Sequence, residues 1–233
     1  MPAIGRRESA AALAIAALAA GGVVLLGNRL ALDEQPWIDR WIRRRTSAPG
    51  PRRVSKALAP LFLLGLPGGY IVIAYLISRS LRRRRRSGGP AIVTAAWAGW
   101  LVHRGAKLVF VRERPPRSDQ RRRVDSYPSG HTTGATALAV TTARVLLRHG
   151  LISKRRAAAI GVGAPVVMGI YRLIDDEHWA TDVLGGWLLG SSIAAICDAL
   201  LSGTGSAARQ ATRVPAVKRP ASRPRVRPEP RMS

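Results

Sequence analysis

Stretches of apolar residues without any charge alternate with short arginine-rich stretches along this chain. Ser9 to Gly27 and Ala57 to Ser78 carry no charged side chain, and both are long enough to cross a bilayer as a helix of about 20 residues. Four further apolar stretches follow, at Gly88 to Val111, His131 to Leu147, Ala157 to Ile174 and Val183 to Leu201. The last three are short or weakly apolar, so buried helices of a soluble domain would share their pattern. We predict an all-α fold, a polytopic membrane helical bundle of about six transmembrane helices.

These stretches divide the chain into three parts. We predict a short cytoplasmic N-terminus over residues 1–8, a membrane-embedded domain over residues 9–202 and a basic, proline- and arginine-rich tail over residues 203–233. The tail has few large apolar residues with which to order itself, so we expect it to be disordered and cytoplasmic. Residues 9–27 also suit a signal peptide with Arg6 and Arg7 as its charged start. Whether residues 9–27 are kept as a membrane helix or cleaved as a signal peptide, the residues that follow lie outside the cytoplasm.

Arginine-rich loops give the orientation of the predicted spans. Arg79 to Arg86 holds six arginines in eight residues, and the positive-inside rule places such a loop in the cytoplasm. Counting spans from there also places Arg148 to Arg156 inside, and it places Asn28 to Lys56, Arg112 to Gly130 and Asp175 to Thr181 outside. The first two outer loops are rich in arginine, against the rule. In the second, a phosphate site would explain the cations, which are Arg112, Arg114, Arg117 and Arg121 to Arg123.

The first outer loop has a helical pattern of its own. Its large apolar residues recur at helical spacing, as Trp37, Ile38, Trp41 and Ile42. This pattern is typical of a helix that lies on anionic lipid headgroups. An amphipathic helix packed against the domain would have the same pattern, so both interpretations stay open.

Composition narrows the choice of partners. The formal net charge is +25 with 47% hydrophobic residues, and the sequence pI is about 11.9. Such a pI permits a nucleic-acid binder, but the arginines cluster between apolar spans and not along one helix face. We therefore predict a membrane protein without a nucleic-acid partner. Cys197 is the single cysteine, which excludes an intrachain disulfide and leaves the redox compartment open.

Three short segments carry the candidate chemistry: His103 to Pro115, Ser126 to His131 and Tyr171 to Asp182. Together they supply cations, imidazoles, a hydroxyl and a carboxylate, as Lys107, Arg114, Ser129, His131, Arg172, His178 and Asp182. Such a set can bind a phosphoryl group and transfer it through histidine without a metal ion. The predicted topology places all three segments on one side of the membrane.

The histidines suit nucleophilic and acid catalysis. His178 and Asp182 are four residues apart, so the carboxylate can accept from Nδ1–H and leave Nε2 free to attack phosphorus. His131 can protonate a leaving alkoxide. The alternatives are an acidic residue at a helix start beside an interfacial His–Trp pair, and an incidental histidine at another helix start.

The remaining candidates suit anion binding. Lys107 and Arg114 are seven residues apart and would share a face if the helix continued that far, although Lys107 alone also fits a snorkelling anchor. The guanidinium of Arg114 suits bidentate phosphate contact. Ser129 can cap the next helix, and Gly130 allows close approach of backbone to a ligand. The acidic run Asp175, Asp176 and Glu177 must face away from such a site or pair with arginines from the loop.

The order Lys107-x6-Arg114-Pro115, Pro128-Ser129-Gly130-His131 and Arg172-x5-His178-x3-Asp182 resembles a known three-part signature. It is that of the type 2 phosphatidic acid phosphatase and vanadium haloperoxidase superfamily, in its membrane lipid-phosphatase branch, which includes bacterial undecaprenyl-diphosphatases. The resemblance spans about Lys107 to Gly190. One position departs, since Tyr171 stands where the family usually has Ser.

The resemblance implies a role for each candidate. His178 would form a phosphohistidine, Asp182 would orient it and His131 would protonate the leaving group. The phosphate would be bound by Lys107, Arg114, Ser129, Gly130 and Arg172, without a metal or other cofactor. The implied activity is hydrolysis of a lipid phosphate or polyprenyl diphosphate at the extracytoplasmic face of the cell membrane. Phosphotransfer to another alcohol and a non-catalytic lipid-binding role remain alternatives, and the oligomeric state is open.

Overall fold

Helices account for nearly all the regular structure in the computed structural model, which describes residues 2–47, 66–118 and 123–211. The described helices are α1 (Pro2–Leu32), α2 (Trp37–Thr46), α3 (Pro67–Arg83), α4 (Gly89–Val109), α5 (Gly130–Arg148), α6 (Lys154–Ile174) and α7 (Ala180–Ala211). Within α6 the segment Ala159–Gly163 is π-helical. Between the helices, the described residues form one isolated β-bridge, Arg112 with Asp125. The predicted all-α fold is confirmed.

Each predicted span coincides with a helix wherever the chain is described. Residues 57–65 of the second predicted span lie outside the described residues, and α3 contains the rest of it. Among the described residues, three helical stretches have the length and hydropathy needed to cross a membrane: Arg7–Leu32 in α1, Lys154–Ile174 in α6, and Ala180–Leu200 in α7. The count of six spans stays a prediction.

Helix α5 is the centre of the bundle and packs against α3, α4, α6 and α7. Its buried side chains include the five threonines Thr132, Thr133, Thr136, Thr141 and Thr142. The Thr133 hydroxyl donates to the Ser129 carbonyl at 2.9 Å and the Thr136 hydroxyl donates to the Thr132 carbonyl at 2.7 Å, so these two hydroxyls are satisfied within the helix. Small polar residues let helix backbones approach closely inside a membrane protein. A Cβ at Gly190 of α7 would lie 2.6 Å from the Thr133 carbonyl oxygen. The sequence of α5 is therefore only weakly apolar because the helix packs against other helices of the protein.

Helix α1 packs along α7. The Ser192 hydroxyl donates to the Ala16 carbonyl at 2.9 Å, and the Tyr127 hydroxyl donates to the Val23 carbonyl at 2.7 Å. Tyr127 also meets Phe110 edge to face, with ring centroids 5.4 Å apart. These contacts attach the link before α5 to the first helix.

Helix α2 turns one face to the protein and the other away from it. Asp39 is buried, whereas Trp37 and Trp41 are 66% and 41% exposed. The helix packs against α6 and α7, as the packing interpretation requires. Contact of its exposed face with headgroups stays a prediction.

Helix α7 continues to Ala211, past the predicted start of a disordered tail at Gly203. The segment Ser206-Ala207-Ala208 and Ala211 add residues with high or moderate helix propensity, which favour continuation of the helix. The rest of the predicted tail, residues 212–233, lies outside the described residues.

Candidate active site

The three predicted segments meet at one end of the bundle, around a cavity of about 770 Å³. They are the end of α4 with the link that follows it, the start of α5, and the link between α6 and α7. Six predicted site residues line the cavity: Lys107, Arg114, Gly130, His131, Arg172 and His178. The other two, Ser129 and Asp182, are fully buried and lie behind this lining, where the Ser129 backbone N–H donates to the Asp182 carbonyl at 3.0 Å.

The carboxylate of Asp182 lies against His178. Nδ1 of His178 is 3.5 Å from Oδ2 of Asp182. Asp182 is the third residue of α7, and the same Oδ2 accepts from the Trp179 backbone N–H at 2.8 Å and from the Ser126 hydroxyl. A side chain at this helix position commonly reaches back to the N–H before the first turn. The start of α7 therefore fixes the carboxylate beside the imidazole.

Burial sets the protonation state of His178. Removal from water, reinforced by the nearby charges of Arg172 and Arg114, lowers the pKa of His178 well below its ordinary value. Both effects disfavour the imidazolium. At neutral pH the ring is therefore neutral and keeps a lone pair on one nitrogen.

The three cations predicted to bind phosphate are each held by an acidic residue. Arg114 places Nε 3.1 Å from Oδ1 of Asp125 and Nη1 3.3 Å from Oε2 of Glu177. Arg172 lies 3.3 Å from Asp175 and 3.6 Å from Glu177. Lys107 donates to the Asp125 backbone carbonyl.

The acidic run is thereby accounted for. Asp175 and Glu177 pair with cations of the cavity itself, while Asp176 points to α2 and accepts from Nε and Nη2 of Arg43, both at 2.9 Å. Ser47 also donates to Asp176, at 3.0 Å. The expected pairing with a loop arginine exists for Glu177 through Arg114, whereas Asp175 pairs with Arg172 of α6 and Asp176 with Arg43 of α2.

Arg112 corrects the sequence interpretation. It was grouped with the phosphate-binding cations of its loop, yet it is 2% exposed and its Nη1 lies 2.6 Å from Oδ1 of Asp182. Its Nη2 lies 2.7 Å from Oδ2 of Asp39. The sequence shows the charge of Arg112 but not the acidic side chain with which it pairs. The available signal was Asp39 itself, an acid within the arginine-rich helix α2.

His103 is a second residue that the motifs did not mark. It lines the cavity, and its Nδ1–H donates to the Gly99 carbonyl at 2.8 Å, which leaves Nε2 as an acceptor. A Cβ at position 130 would lie 2.6 Å from that Nε2. A larger residue at 130 would therefore force His103 to move, independent of any ligand.

Two sequence expectations concern the neighbours of these residues. Ser129 is the N-cap residue of α5, but its side chain makes no cap hydrogen bond; its hydroxyl accepts from the Thr132 hydroxyl at 3.0 Å. Tyr171 is buried, and its ring centroid is 6.0 Å from Cζ of Arg172. The aromatic ring thus fills the space beside the arginine.

Comparison with known proteins gives consistent matches. Residues 88–202 match the PAP2 superfamily. Decaprenylphosphoryl-5-phosphoribose phosphatase of Mycobacterium tuberculosis is 30% identical over 148 residues, which cover 58% of this chain and 73% of that protein. Undecaprenyl-diphosphatase of Sulfolobus acidocaldarius is 41% identical over 68 residues, or 29% of this chain and 30% of that protein.

A solved structure shares the fold. The crystal structure of a transmembrane PAP2 type phosphatidylglycerolphosphate phosphatase from Bacillus subtilis superimposes with a TM-score of 0.61 at 22% identity, covering 83% of this chain and 96% of that one. Together with the family match, three helices of the described residues that are apolar and long enough to cross a membrane support a membrane-integral protein.

Proposed function

This chain belongs to the PAP2 superfamily of membrane phosphatases, and we propose that it hydrolyses a lipid phosphate monoester or a polyprenyl diphosphate through a phosphohistidine on His178. The observation that carries the proposal is the buried His178–Asp182 pair, with 3.5 Å between Nδ1 and Oδ2. It forms one wall of a cavity that Lys107, Arg114 and Arg172 also line.

The first step forms the covalent intermediate. Nε2 of neutral His178 attacks phosphorus, and an N–P bond forms as the bond from phosphorus to the leaving oxygen breaks. His131 enters this step as the imidazolium, which the negative charge of the bound phosphate favours, and donates its proton to that oxygen. The Asp182 carboxylate, 3.5 Å from Nδ1, stabilises the positive charge that the ring acquires. The three cations hold the non-bridging oxygens, where negative charge concentrates in the transition state.

The second step restores the enzyme. His131, now neutral, takes a proton from water while the water oxygen attacks phosphorus. The N–P bond breaks, inorganic phosphate leaves and His178 is again a neutral imidazole. The cations that bound the substrate supply the required positive charge, so the chemistry needs no metal ion.

The shape of the cavity favours an amphipathic substrate. Beside its charged residues the lining includes Trp100, Leu101 and Leu108 of α4. Leu101 and Leu108 are 64% and 86% exposed, so they form an apolar surface that leads to the cavity. An acyl or prenyl chain can lie along this surface while its phosphate enters between the cations.

We place the active site on the extracytoplasmic face. The arginine cluster Arg79 to Arg86 joins the end of α3 to the start of α4, whereas Lys107 is near the other end of α4. A cluster of this kind favours the cytoplasm. The cavity then opens on the opposite side of the membrane. Cysteine labelling of intact cells at Arg117→Cys tests this, since a cytoplasmic location would protect that thiol.

Phosphate release by detergent-purified protein tests the activity. Polyprenyl diphosphate, phosphatidic acid and phosphatidylglycerol phosphate are offered with a chelator present. We expect release from at least one substrate, its loss in His178→Ala and its retention in His149→Ala. His149 is a suitable control because it is a half-buried histidine that does not line the cavity and contacts the Ser87 carbonyl. Full activity in folded His178→Ala, or dependence on added metal, would contradict the mechanism.

A further inference from the structure

Asp39 of α2 is a buried acid outside residues 88–202, the part of the chain that matches the PAP2 superfamily. It is 1% exposed. None of the three signature motifs includes it. A carboxylate removed from water needs charged or hydrogen-bonding partners, and the partners of Asp39 lead to the proposed nucleophile.

The first partner is Arg112, whose guanidinium bridges two acids. Nη2 is 2.7 Å from Oδ2 of Asp39, and Nη1 is 2.6 Å from Oδ1 of Asp182. The planar fork of an arginine fixes the direction of both contacts, which a lysine ammonium does not. The position of the Asp182 carboxylate therefore depends on a residue of α2.

The second partner is Thr181, in the first turn of α7. Its backbone N–H donates to Oδ1 of Asp39 at 2.9 Å, and its hydroxyl donates to Oδ2 at 2.6 Å. Asp39 thus holds the guanidinium and also the backbone next to Asp182. Two independent contacts tie the same carboxylate to the start of α7.

Every nitrogen of Arg112 is occupied by protein. Nε donates to the Glu34 carbonyl at 3.1 Å, Nη1 also contacts the Thr181 hydroxyl at 2.7 Å, and Nη2 also contacts the Glu34 carbonyl at 2.5 Å. Arg112 is therefore committed to holding other residues and has no donor directed at a substrate phosphate.

We propose that Asp39 and Arg112 are positioning residues for the catalytic pair. Arg112 holds Oδ1 of Asp182, so that Oδ2 faces Nδ1 of His178, and Asp39 holds Arg112. Helix α2 thereby completes an active site whose motifs all lie downstream of it. This inference rests on the proposed role of His178 and Asp182.

The test compares Asp39→Asn and Arg112→Lys with Arg43→Gln. Asn keeps the shape of Asp39 and removes its charge, and Lys keeps the charge of Arg112 and removes its fork. Arg43 is the matched control, because it also ties α2 to the link before α7 but does so through Asp176. We expect kcat to fall about tenfold or more in the first two variants, the effect of losing one charge-assisted hydrogen bond. KM and inhibition by inorganic phosphate should stay unchanged, since the cations of the cavity are untouched.

Thermal melting and gel filtration measure the folded fraction of each variant. A kcat loss in folded protein with unchanged KM supports positioning, provided that Arg43→Gln keeps its kcat. The inference is overturned if both folded variants keep the wild-type kcat. It is also overturned if the loss of activity equals the fraction of unfolded protein. His178→Ala separates the two hypotheses. If it is inactive while Asp39→Asn is fully active, only the positioning role fails, whereas an active His178→Ala refutes the proposed function.

Discussion

Oδ1 of Asp125 lies 3.1 Å from Nε of Arg114, so an acid faces the same cavity as the cations proposed to bind phosphate. Oδ2 of Asp125 also pairs with Nη2 of Arg123 at 2.8 Å. A phosphate that binds Arg114 must share the guanidinium with this carboxylate or displace it. Asp125 therefore opposes substrate binding while it keeps the arginine in place.

Asp125→Asn should bind phosphate more tightly. Removing one like charge beside a partly exposed anion site is worth about 1 kcal/mol, or about a fivefold lower inhibition constant for inorganic phosphate. Competitive inhibition of phosphate release measures it. Asp175→Asn is the matched control, because Asp175 pairs with Arg172 but is more exposed, at 34% of its side chain, and we expect a smaller change. Weaker phosphate binding by Asp125→Asn would show that holding Arg114 in place matters more than repulsion.

Stability should fall as the pH drops below the ordinary pKa of histidine. The pKa of His178 is lowered by burial and then by Arg172 and Arg114. Below pH about 6.5 the unfolded chain takes up a proton at this position and the folded protein does not, so acid favours unfolding. The stability that the neutral His178 contributes is therefore fully present above pH about 6.5 and is lost progressively below it.

Melting temperatures at several pH values between 7.5 and 5 measure this effect. His178→Asn removes the titrating group, so its melting temperature should depend less on pH than that of the wild type. Equal pH dependence of the two proteins would mean that His178 does not stay neutral in the folded state.

Gly130→Ala should lower stability through a clash with His103. The new Cβ would lie 2.6 Å from Nε2 of His103, and such overpacking costs about 1–3 kcal/mol. The double variant Gly130→Ala, His103→Ala removes the clash and should recover part of the lost stability, as measured by thermal melting. Gly21→Ala is the control, since a Cβ there meets nothing within 4 Å and should be tolerated. If the double variant is no more stable than Gly130→Ala, the steric explanation is wrong.

Asp198→Asn should lower stability without changing catalysis. Asp198 is 4% exposed and pairs with Arg144 and with Nη2 of Arg148, the latter at 2.8 Å. It is 16 residues beyond Asp182 in α7, or about 24 Å along the helix axis. Both arginines are partly exposed, so we expect a loss of about 1 kcal/mol. Thermal melting and KM check this prediction, and a raised KM would indicate coupling along α7 to the cavity.

The sequence predicted the parts of the site that short spacing determines. Lys107 and Arg114 flank the end of α4, Gly130 opens α5, and His178 and Asp182 flank the start of α7, so each motif marks an element boundary. The helix pattern also predicted α1, because apolar residues dominate its length. It was weaker for α5, whose threonines face other helices.

Long-range pairing of charges could not be predicted in the same way. Arg112 and Asp39 are 73 residues apart in the chain, and the loop of Arg112 offers several other arginines of equal charge. Which arginine enters the interior depends on where α2 docks, and no local spacing encodes that. The same holds for Asp176 and Arg43, which are 133 residues apart.

The contacts of Asp39 and Tyr127 set a lower limit on the length of a working fragment. A fragment cut to residues 88–202 would retain every signature residue. It would lose the acid that holds Arg112 and the Val23 carbonyl that accepts from Tyr127. Any recombinant truncation, domain swap or transplant of this site should therefore include α1 and α2. The motifs alone do not contain the residues that hold the site in place.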